Sequence, residues 1–445
     1  MKALLELRFL HLLAISNSLS SESRGKKNLA IMSNFRRLGI MKSSIFTISF
    51  AALFFVVLFA VGARCNLFLH STTSRTIRDA LVFPSNKPQR KFKPFSSPVP
   101  LLLVKEEVNE SYIEYSLTNI TEQQRKTWSQ NKSLEFEMFQ STDLARQFSR
   151  RVQEFFKSGC EVQFFMTWIS PAKSFRRREF FALESLFKAH PNGCLIILSR
   201  TLDSRHGKRI LEPLQHGGFK VLAVTPDLPY LFENTPAIAW FDEIKNGRKD
   251  PGEIPLAQNL SNLLRLAVLY KYGGIYLDTD FIVLKKLSGL RNSIGAQSMD
   301  ETGNWTRLNN AVLIFDKNHP LLLKFIEEFS LTFNGNRWGY NGPYLVSRVI
   351  ERMQKKNPGY EHNFTVLPPM AFYPVSWNRI GGFFKRPENP AMSRWISTKL
   401  RQLSGETFGL HLWNKQSGRL RIEEGSIIGK LISDHCVICD HLYSA

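Results

Sequence analysis

Residues 273–284, with the sequence GGIYLDTDFIVL, constrain the fold of this chain more than any other stretch. Their apolar side chains predict a buried strand, yet Asp278 and Asp280 interrupt it, although aspartate is depleted in strands and costly to bury. Side chains two residues apart share a face of a strand, so the carboxylates would repel each other, and removing one charge would stabilise the metal-free protein. A divalent cation such as Mn²⁺ or Mg²⁺ also removes the repulsion, because it prefers carboxylate oxygen. The stretch therefore predicts a metal site at a strand end, with two solvated surface acids as the alternative.

The preceding residues, 255–272, predict a helix. Apolar side chains recur there with helical period, Pro255 suits the first turn, and Gly273 suits the position after the end. Arg265 lies within this apolar segment. Either its aliphatic part lies on the apolar surface while the guanidinium reaches solvent, or the guanidinium is directed at a diphosphate or a carboxylate.

Predicted strands and helices alternate in the region after Cys160. Residues 161–170, 193–200 and 218–225 predict strands, and residues 177–191 predict an amphipathic helix between the first two. Such alternation indicates an α/β fold with a parallel sheet. Ligands bind beyond the carboxyl ends of strands in open α/β sheets, and the D-x-D stretch fits such a position.

Residues 262–287, NLLRLAVLYKYGGIYLDTDFIVLKKL, resemble the D-x-D sugar-transferase signature of the α-1,4-glycosyltransferase family. An Arg-bearing helix followed by Tyr-Gly-Gly and Tyr-x-Asp-x-Asp is far more specific than a lone D-x-D. The similarity extends from about Cys160 to the C-terminus, and residues 164–200 and 341–350 resemble the plant members. One position departs from the pattern: the wider superfamily has an Asp three residues before the Arg, where this chain has Asn262. Asn262 can hydrogen-bond a ribose or uracil but brings no charge.

The resemblance implies a fold and an activity. The implied fold is a GT-A-like nucleotide-sugar-binding fold with a mostly parallel central sheet. The implied activity is transfer of a hexose or N-acetylhexosamine from a UDP-sugar to a glycan or glycolipid acceptor, with Mn²⁺ or Mg²⁺ as cofactor. Retention of the anomeric configuration, an α-1,4 linkage and a Golgi membrane location complete the expectation.

The resemblance also assigns roles to single residues. Asp278, Asp280 and Arg265 are the expected catalytic residues, and His411, in FGLHLWNK, is the expected third metal ligand beside the two acids. The alternative for His411 is a core or capping histidine. The expected donor-binding residues are Asn262, Arg265, Tyr276, Asp278, Asn309, Asn310 and Lys415.

Gly342 and Pro343 are the expected acceptor-binding residues, because they match a Gly-Pro motif of the family. A plain turn is the alternative for this pair, as it is for Asn309 and Asn310. For Lys415 the alternative is an ordinary surface lysine.

Residues 44–63 form an uncharged apolar segment of about 20 residues, long enough to span a bilayer core. Basic residues precede it, so residues 1–43 are predicted to be cytoplasmic and the bulk of the chain lumenal. A cleaved signal peptide is the alternative, which the long basic leader opposes. Residues 64–158 have the composition of a stem. Residues 159–445 are the predicted catalytic domain, with a donor-binding half at 159–300 and an α-1,4-glycosyltransferase half at 301–445.

N-glycosylation sequons support the lumenal placement. Within the predicted domain, Asn259 opens the Arg265 helix and is not expected to be modified. The sequon asparagines are Asn109, Asn119 and Asn131 in the predicted stem and Asn259, Asn304 and Asn363 in the predicted domain.

The chain has five cysteines. Cys160 and Cys194 each precede an apolar strand, so parallel pairing brings them together, and a disulfide between them is expected in an oxidising lumen. Cys436 and Cys439 form either a tight disulfide or half of a zinc site. Zinc is disfavoured because the sequence has no second cysteine pair of zinc spacing.

Other functional classes fit the sequence less well. A net charge of +21 would suit nucleic acid, but no nucleic-acid module is present and the apolar segment argues against a nuclear protein. A phosphotransferase with Asp278 as nucleophile would require Thr or Val where Ile282 stands. A catalytically silent glycan-binding relative remains the alternative, and the presence of both acids and the Arg opposes it.

Overall fold

The computed structural model describes residues 137–356 and 363–439 of the 445-residue chain. The predicted cytoplasmic tail, the predicted transmembrane helix and residues 64–136 of the predicted stem lie outside these residues. Among the helices of the two described ranges, none has the length and apolarity needed to cross a membrane.

Parallel pairing dominates the central sheet. The strands in the described ranges are β1 (Gln163–Thr167), β2 (Cys194–Leu198), β3 (Lys220–Val224), β4 (Gly274–Leu277), β5 (Phe281–Val283), β6 (Ser293–Met299), β7 (Trp305–Phe315), β8 (Thr365–Leu367) and β9 (Gly409–His411). Seven of them form one sheet in the order β3-β2-β1-β4-β7-β6-β8, and β5 pairs with β9 in a second. Strand β1 is parallel to β2 and β4, β2 to β3, and β6 to β8, whereas β7 is antiparallel to β4 and β6. The expected α/β fold with a mostly parallel sheet is confirmed.

Helices connect and cover these strands. The α-helices of the described ranges are α1 (Asp143–Arg146), α2 (Phe148–Lys157), α3 (Arg177–Ala189), α4 (Arg205–His216), α5 (Leu228–Phe232), α6 (Ala237–Lys245), α7 (Leu256–Tyr272), α8 (Pro320–Thr332), α9 (Pro343–Lys356), α10 (Pro369–Phe372), α11 (Pro390–Glu406), α12 (Asn414–Ser417) and α13 (Ile427–His435). Short 3₁₀ turns occupy Glu137–Phe139, Ala172–Ser174 and Ile380–Phe384.

Both faces of the central sheet are buried. On β1, Phe164 and Met166 belong to one apolar cluster and Phe165 to the other, because successive strand residues point to opposite faces. A third cluster surrounds the small sheet and contains Ile282 and Leu410. Burial on both faces explains why the sequences of β1 and β2 are nearly continuous apolar runs rather than alternating ones.

Helix α7 leads directly into the strand before the D-x-D residues. It ends at Gly273, which has a φ of 71°, in the left-handed region that favours glycine. A Cβ at this position would lie 2.6 Å from the backbone nitrogen of Lys317, so the close approach also requires glycine. The tight turn places the buried face of α7 beside the carboxyl end of β4.

The packed domain begins before the predicted boundary at residue 159. Phe148 and Val152 of α2 are fully buried in the main apolar cluster. Arg151 forms a bidentate pair with Asp203, at 2.6 and 2.8 Å, which fixes the helix against the loop after β2. The short apolar stripe of α2 lies within a polar, stem-like stretch, which is why composition alone put it in the stem.

The structure joins Cys160, before β1, to Cys194, the first residue of β2, and also joins Cys436 to Cys439. The first bond spans 34 residues and the second spans 3. Replacing both Cys160 and Cys194 by Ser is expected to lower the free energy of unfolding by about 3–4 kcal/mol in the chain-entropy model. The same replacement at Cys436 and Cys439 serves as the control and is expected to cost roughly 2 kcal/mol, because its loop is short.

Denaturant unfolding of the two double variants, with peptide mapping of the non-reduced wild type, measures this difference. Free thiols at Cys160 and Cys194 in the wild type, or a larger loss for the short loop, would contradict it.

Candidate active site

Two short antiparallel strands bring the D-x-D residues to His411. Strand β4 ends at Leu277, and residues 278–280 form a turn before β5 begins at Phe281, whose backbone N–H donates to the Asp278 carbonyl at 3.1 Å. Phe281 pairs with His411 of β9. The predicted single strand is therefore broken, and the carboxylates lie in a turn at the carboxyl end of β4 rather than on one strand face. Aspartate favours such turns because its side chain finds polar partners there.

The side chains of Asp278, Asp280 and His411 converge. One ligand atom of each lies within 4.8 Å of the others. His411 Nε2 is 3.3 Å from Asp280 Oδ1 and 3.9 Å from Asp278 Oδ2. Burial lowers the pKa of His411, but the charges of the two carboxylates outweigh burial and raise this pKa to about 9. Burial raises the pKa of Asp280, and the nearby His411 outweighs burial and holds it below its ordinary value.

Each carboxylate has partners of its own. Asp280 is buried and accepts a hydrogen bond at 2.8 Å from the backbone N–H of Asn414. Asp278 accepts a hydrogen bond at 2.9 Å from the Tyr276 hydroxyl and lies 3.1 Å from the Arg265 guanidinium. The opposite charges at Arg265 and His411 offset the repulsion that the sequence alone predicted between two unpaired acids.

Arg265 supports Asp278 from within the protein. Its side chain is buried in the middle of α7. The guanidinium donates to the backbone oxygen of Asn310 at 2.8 Å and to the backbone oxygen and hydroxyl of Ser261 at 3.2 and 3.1 Å. It also lies 4.6 Å from the centre of the Tyr276 ring. Burial lowers the pKa of Arg265, and Asp278 outweighs burial and raises it, so this expected catalytic residue is directed at Asp278.

Tyr276 and two hydroxyl residues extend this network. Tyr276 is fully buried, and its hydroxyl lies 2.7 Å from Thr167 Oγ1, which is 2.6 Å from Ser261 Oγ. The expected donor-binding Tyr276 therefore contacts Asp278 from the core side. Sequence reasoning missed Thr167 and Ser261, because single hydroxyl residues carry no local signal. The position of Thr167 at the carboxyl end of β1 was the one available indication.

Asn262 lies between Asn310, an expected donor-binding residue, and Gly342 of the expected acceptor motif. Its Oδ1 accepts a hydrogen bond at 3.0 Å from Asn310 Nδ2. A Cβ added at Gly342 would lie 2.8 Å from the same Oδ1, so glycine permits this approach, and Pro343 then begins α9. Asn309 instead donates to Gln297 Oε1 at 2.9 Å.

Two aromatic rings flank His411, and the site residues expected from the sequence did not include them. The Trp413 ring lies edge-on at 4.5 Å from the imidazole, and the Tyr373 ring lies at 5.9 Å. Trp413 Nε1 donates to the Val375 backbone oxygen at 2.9 Å, and its backbone has a φ of 56°. A bulky residue in the left-handed region is strained, and such residues concentrate at functional sites. The available signal was the position of Trp413 in HLWNK, beside the expected ligand.

Lys415 follows Asn414, whose backbone N–H donates to Asp280 of the Asp278–Asp280–His411 triad. Its Nζ is 3.5 Å from the centre of the Trp338 ring. Burial lowers the pKa of Lys415. This expected donor-binding residue therefore contacts an aromatic face in the structure.

The residues at this point fit a divalent metal ion. Two carboxylates and one imidazole form a donor set suited to Mn²⁺, and the carboxylates alone suit Mg²⁺. Asp278 keeps about a quarter of its side chain exposed, 26%, so the group is open to solvent on one side. Asp278, Asp280 and His411 could thus hold a metal ion and leave coordination positions for a ligand.

Two family models match this chain. Residues 176–300 match a glycosyltransferase sugar-binding region that contains a DXD motif, and residues 314–443 match an alpha 1,4-glycosyltransferase conserved region. The first range contains Asp278 and Asp280 and the second contains His411, so the triad draws residues from both matched ranges. This protein is therefore a glycosyltransferase.

Curated relatives extend the match. Mouse lactosylceramide 4-alpha-galactosyltransferase is 35% identical over 268 residues, which are 57% of this chain and 68% of that protein. Human alpha-1,4-N-acetylglucosaminyltransferase is 28% identical over 47% of this chain and 58% of that protein. An uncharacterized Arabidopsis thaliana protein is 29% identical over 82% of this chain, which spans 60% of that relative's length. The chain belongs to the α-1,4-glycosyltransferase family.

Two solved glycosyltransferase structures match this chain with low TM-scores. PaToxG glycosyltransferase has a TM-score of 0.33 and 20% identity over 53% of this chain and 80% of that chain. The glycosyltransferase GlyE of Streptococcus pneumoniae has a TM-score of 0.33 and 14% identity over 57% of this chain and 55% of that chain. Similarities of this size say nothing about the substrate or the mechanism of this chain.

Proposed function

We propose that this chain is a metal-dependent Golgi glycosyltransferase with a GT-A-like fold. It moves a hexose or N-acetylhexosamine from a UDP-sugar to a glycan or glycolipid acceptor and forms an α-1,4 linkage with retention. The observation that carries the proposal is the convergence of Asp278, Asp280 and His411 within 4.8 Å at the carboxyl end of β4. Ligands of open α/β sheets bind at such ends, and family membership supports the donor class.

Different residues of the site have different roles in donor binding. When bound, Mn²⁺ or Mg²⁺ supplies Lewis-acid neutralisation of the charge that develops on the departing UDP. Asp278, Asp280 and His411 hold the ion, and Arg265 with Tyr276 fixes the Asp278 carboxylate in place. Lys415 adds a second cation for the diphosphate.

The acceptor side uses fewer ionisable groups. We expect Gly342 and Pro343 to border the acceptor, next to Asn262 of the donor pocket. The Asp278 and Asp280 carboxylates are engaged in metal binding, so the departing phosphate oxygen takes the acceptor proton. The C1–O bond to the UDP phosphate breaks as the acceptor oxygen bonds to C1 at the same face of the sugar, which is retention.

A donor and acceptor panel tests the proposal. The full-length chain, purified in detergent, is assayed for UDP release from UDP-glucose, UDP-galactose, UDP-N-acetylglucosamine and UDP-N-acetylgalactosamine with Mn²⁺. Octyl β-lactoside, octyl β-galactoside and octyl β-N-acetylglucosaminide serve as acceptors, and NMR of the product reports linkage and anomer. Release that a chelator abolishes is expected for one donor. Absence of release with every donor would favour a silent glycan-binding protein.

Glycosylation tests the lumenal location. Asn304 and Asn363 are exposed, whereas Asn259 is 3% exposed and its Oδ1 accepts a hydrogen bond at 2.9 Å from Asn341. Glycans are therefore expected at Asn304, Asn363 and the stem sequons, and none at Asn259. Mass spectrometry of peptides after enzymatic deglycosylation in ¹⁸O-labelled water locates them, because each released site becomes an ¹⁸O-labelled aspartate. Thr306→Ala is the matched control and removes the Asn304 sequon alone.

Protease treatment of sealed microsomes provides the second arm. The C-terminal domain is expected to be protected until detergent is added, because residues 1–43 are predicted to be cytoplasmic. Digestion in sealed vesicles, or a protein without any glycan, would contradict the Golgi membrane location while leaving the transferase activity untouched.

A further inference from the structure

Two large aromatic side chains are exposed beside the site. Trp338 is 50% exposed and Tyr344, on the first turn of α9, is 41% exposed. A Cβ added at Gly339, whose φ is 72°, would lie 3.0 Å from the Tyr344 ring, so the backbone after Trp338 packs directly on Tyr344. Exposed tryptophan and tyrosine rings offer a flat apolar face together with a polar group, which suits contact with a sugar ring.

The loop that carries Trp338 is fixed to the donor side of the site. The Gly335 backbone oxygen accepts a hydrogen bond at 2.9 Å from Ile254, and Asn336 Oδ1 accepts one at 2.8 Å from Glu253. Asn341 Nδ2 donates to Asn259 Oδ1 at 2.9 Å. Both ends of the loop are thus bound near the start of α7, the helix that carries Asn262 and Arg265, and the Trp338 ring has a defined position.

Trp338 contacts Lys415, which belongs to α12 rather than to the loop. The Nζ of Lys415 lies 3.5 Å from the centre of its ring, and the residue before Lys415 donates its backbone N–H to Asp280. Trp338 is thus connected to Asp280 through the side chain of Lys415 and the backbone of Asn414. Tyr344 in turn lies 4.7 Å from the guanidinium of Arg307, on the same strand as Asn309. The two rings thus contact one residue that follows His411 in the chain and one residue of β7.

We propose that Trp338 and Tyr344 form the acceptor platform, on which the apolar faces of acceptor sugar rings stack, and that Lys415 controls access to Trp338. The inference rests on the proposed function and deepens it by naming the acceptor site. A lysine ammonium is held weakly by an exposed ring and far more strongly by a diphosphate. Donor binding therefore draws Lys415 off the ring and frees the Trp338 face for the acceptor.

Other exposed tryptophans of the described ranges provide a matched control. Trp395 on α11 is 45% exposed, and its ring packs 6.0 Å from Phe383 in the C-terminal apolar cluster. Its exposure, 45%, is close to the 50% of Trp338, and its described ring contact is with Phe383 rather than with Lys415 or the triad. Variants of Trp395 therefore report on the loss of an exposed indole, together with its packing on Phe383.

Tryptophan fluorescence tests the Lys415 step with UDP and Mn²⁺ as the probe. Adding Mn²⁺ alone gives the response of Trp413, which lies 4.5 Å from His411, and the further change on adding UDP is expected to come from Trp338 as Lys415 leaves its ring. Wild type and Trp395→Phe are expected to show this further change. Trp338→Phe is expected to lose most of it while retaining UDP binding by calorimetry. An emission change of equal size in Trp338→Phe would overturn the proposed movement of Lys415.

Steady-state kinetics test the platform with the best acceptor of the octyl glycoside panel. Trp338→Ala and Tyr344→Ala are each expected to raise the acceptor KM by roughly tenfold or more, as aromatic truncations at binding hot spots do. The donor KM is expected to change far less, and Trp338→Phe should recover part of the loss. Trp395→Ala is expected to match wild type. A wild-type acceptor KM in Trp338→Ala would overturn the platform.

The two proposals fail in different ways. If wild type releases UDP and transfers sugar while Trp338→Ala keeps its acceptor KM, the platform alone is wrong. If wild type neither binds UDP with Mn²⁺ nor releases it from any UDP-sugar, the proposed function is wrong and the platform with it. Thermal unfolding of each variant confirms that a changed KM does not come from a damaged fold.

Discussion

Replacing Asp278 or Asp280 by Asn is expected to lower sugar transfer by roughly a thousandfold or more, since several kcal/mol of metal-dependent charge stabilisation is lost. Asparagine keeps the shape of each side chain and removes the charge that holds the cation. Added Mn²⁺ is expected to stabilise the wild type by about 2.7 kcal/mol at a hundred times its Kd, and either variant by much less. UDP-release assays and thermal unfolding with and without Mn²⁺ measure both effects.

The structure reverses the sign of one expectation about these variants. With two unpaired acids, removal of a charge would stabilise the metal-free protein. In the structure Asp278 pairs with Arg265 at 3.1 Å and Asp280 with His411 at 3.3 Å. Asp278→Asn therefore leaves the buried Arg265 guanidinium without its partner, and Asp280→Asn removes the main charge that raises the pKa of His411. Each variant loses an ion pair and is expected to lower the melting temperature of the metal-free protein.

Asp316→Asn is the matched control for these variants. Asp316 pairs with Arg291 at 2.8 Å at the end of β7, where both side chains are largely exposed, at 44% and 81%. Transfer is expected to stay at the wild-type level in this variant. Wild-type turnover in both Asp278→Asn and Asp280→Asn, or activity that a chelator leaves unchanged, would refute the metal mechanism.

The central sheet was predictable because its signal is local. Strands β1, β2 and β3 are short apolar runs separated by one helix each, and such a pattern permits few folds other than a parallel sheet. The end of α7 was equally predictable, because Gly273 both ends the helix and permits the turn into β4. These features depend on neighbouring residues, which a single sequence displays.

The details of the site were less predictable because they depend on distant residues. The pairing of Phe281 with His411 joins positions that lie 130 residues apart, and nothing local in either stretch determines it. The break in the strand at Asp278 could not be predicted, because the apolar residues on both sides indicated one continuous strand. The partner of Arg265 was also open, because a buried guanidinium has the same sequence signature whether it binds substrate or supports a carboxylate.

Replacing Arg265 by Met is expected to lower transfer by about a hundredfold and the free energy of unfolding by roughly 3 kcal/mol, since one buried partner of an ion pair is lost. The methionine fills much of the volume but leaves the Asp278 carboxylate, the Asn310 carbonyl and Ser261 without their donor. Arg265→Lys is expected to recover part of the stability and little of the activity, because one ammonium cannot replace a planar guanidinium that donates to several acceptors. Thermal unfolding and the transfer assay measure the two losses separately.

A double-mutant cycle separates support of Asp278 from direct contact with the donor. If Arg265 acts by positioning Asp278, then Arg265→Met combined with Asp278→Asn regains at least about 1 kcal/mol relative to additive losses, because the unpaired carboxylate is gone. Transfer stays abolished in the double variant, since the metal ligand is missing. Arg291→Met, which removes the exposed partner of Asp316, is the control and is expected to cost less than about 1 kcal/mol. Strictly additive stability losses, together with a donor KM that rises in Arg265→Met while kcat stays at the wild-type level, would instead assign the guanidinium to the UDP-sugar itself.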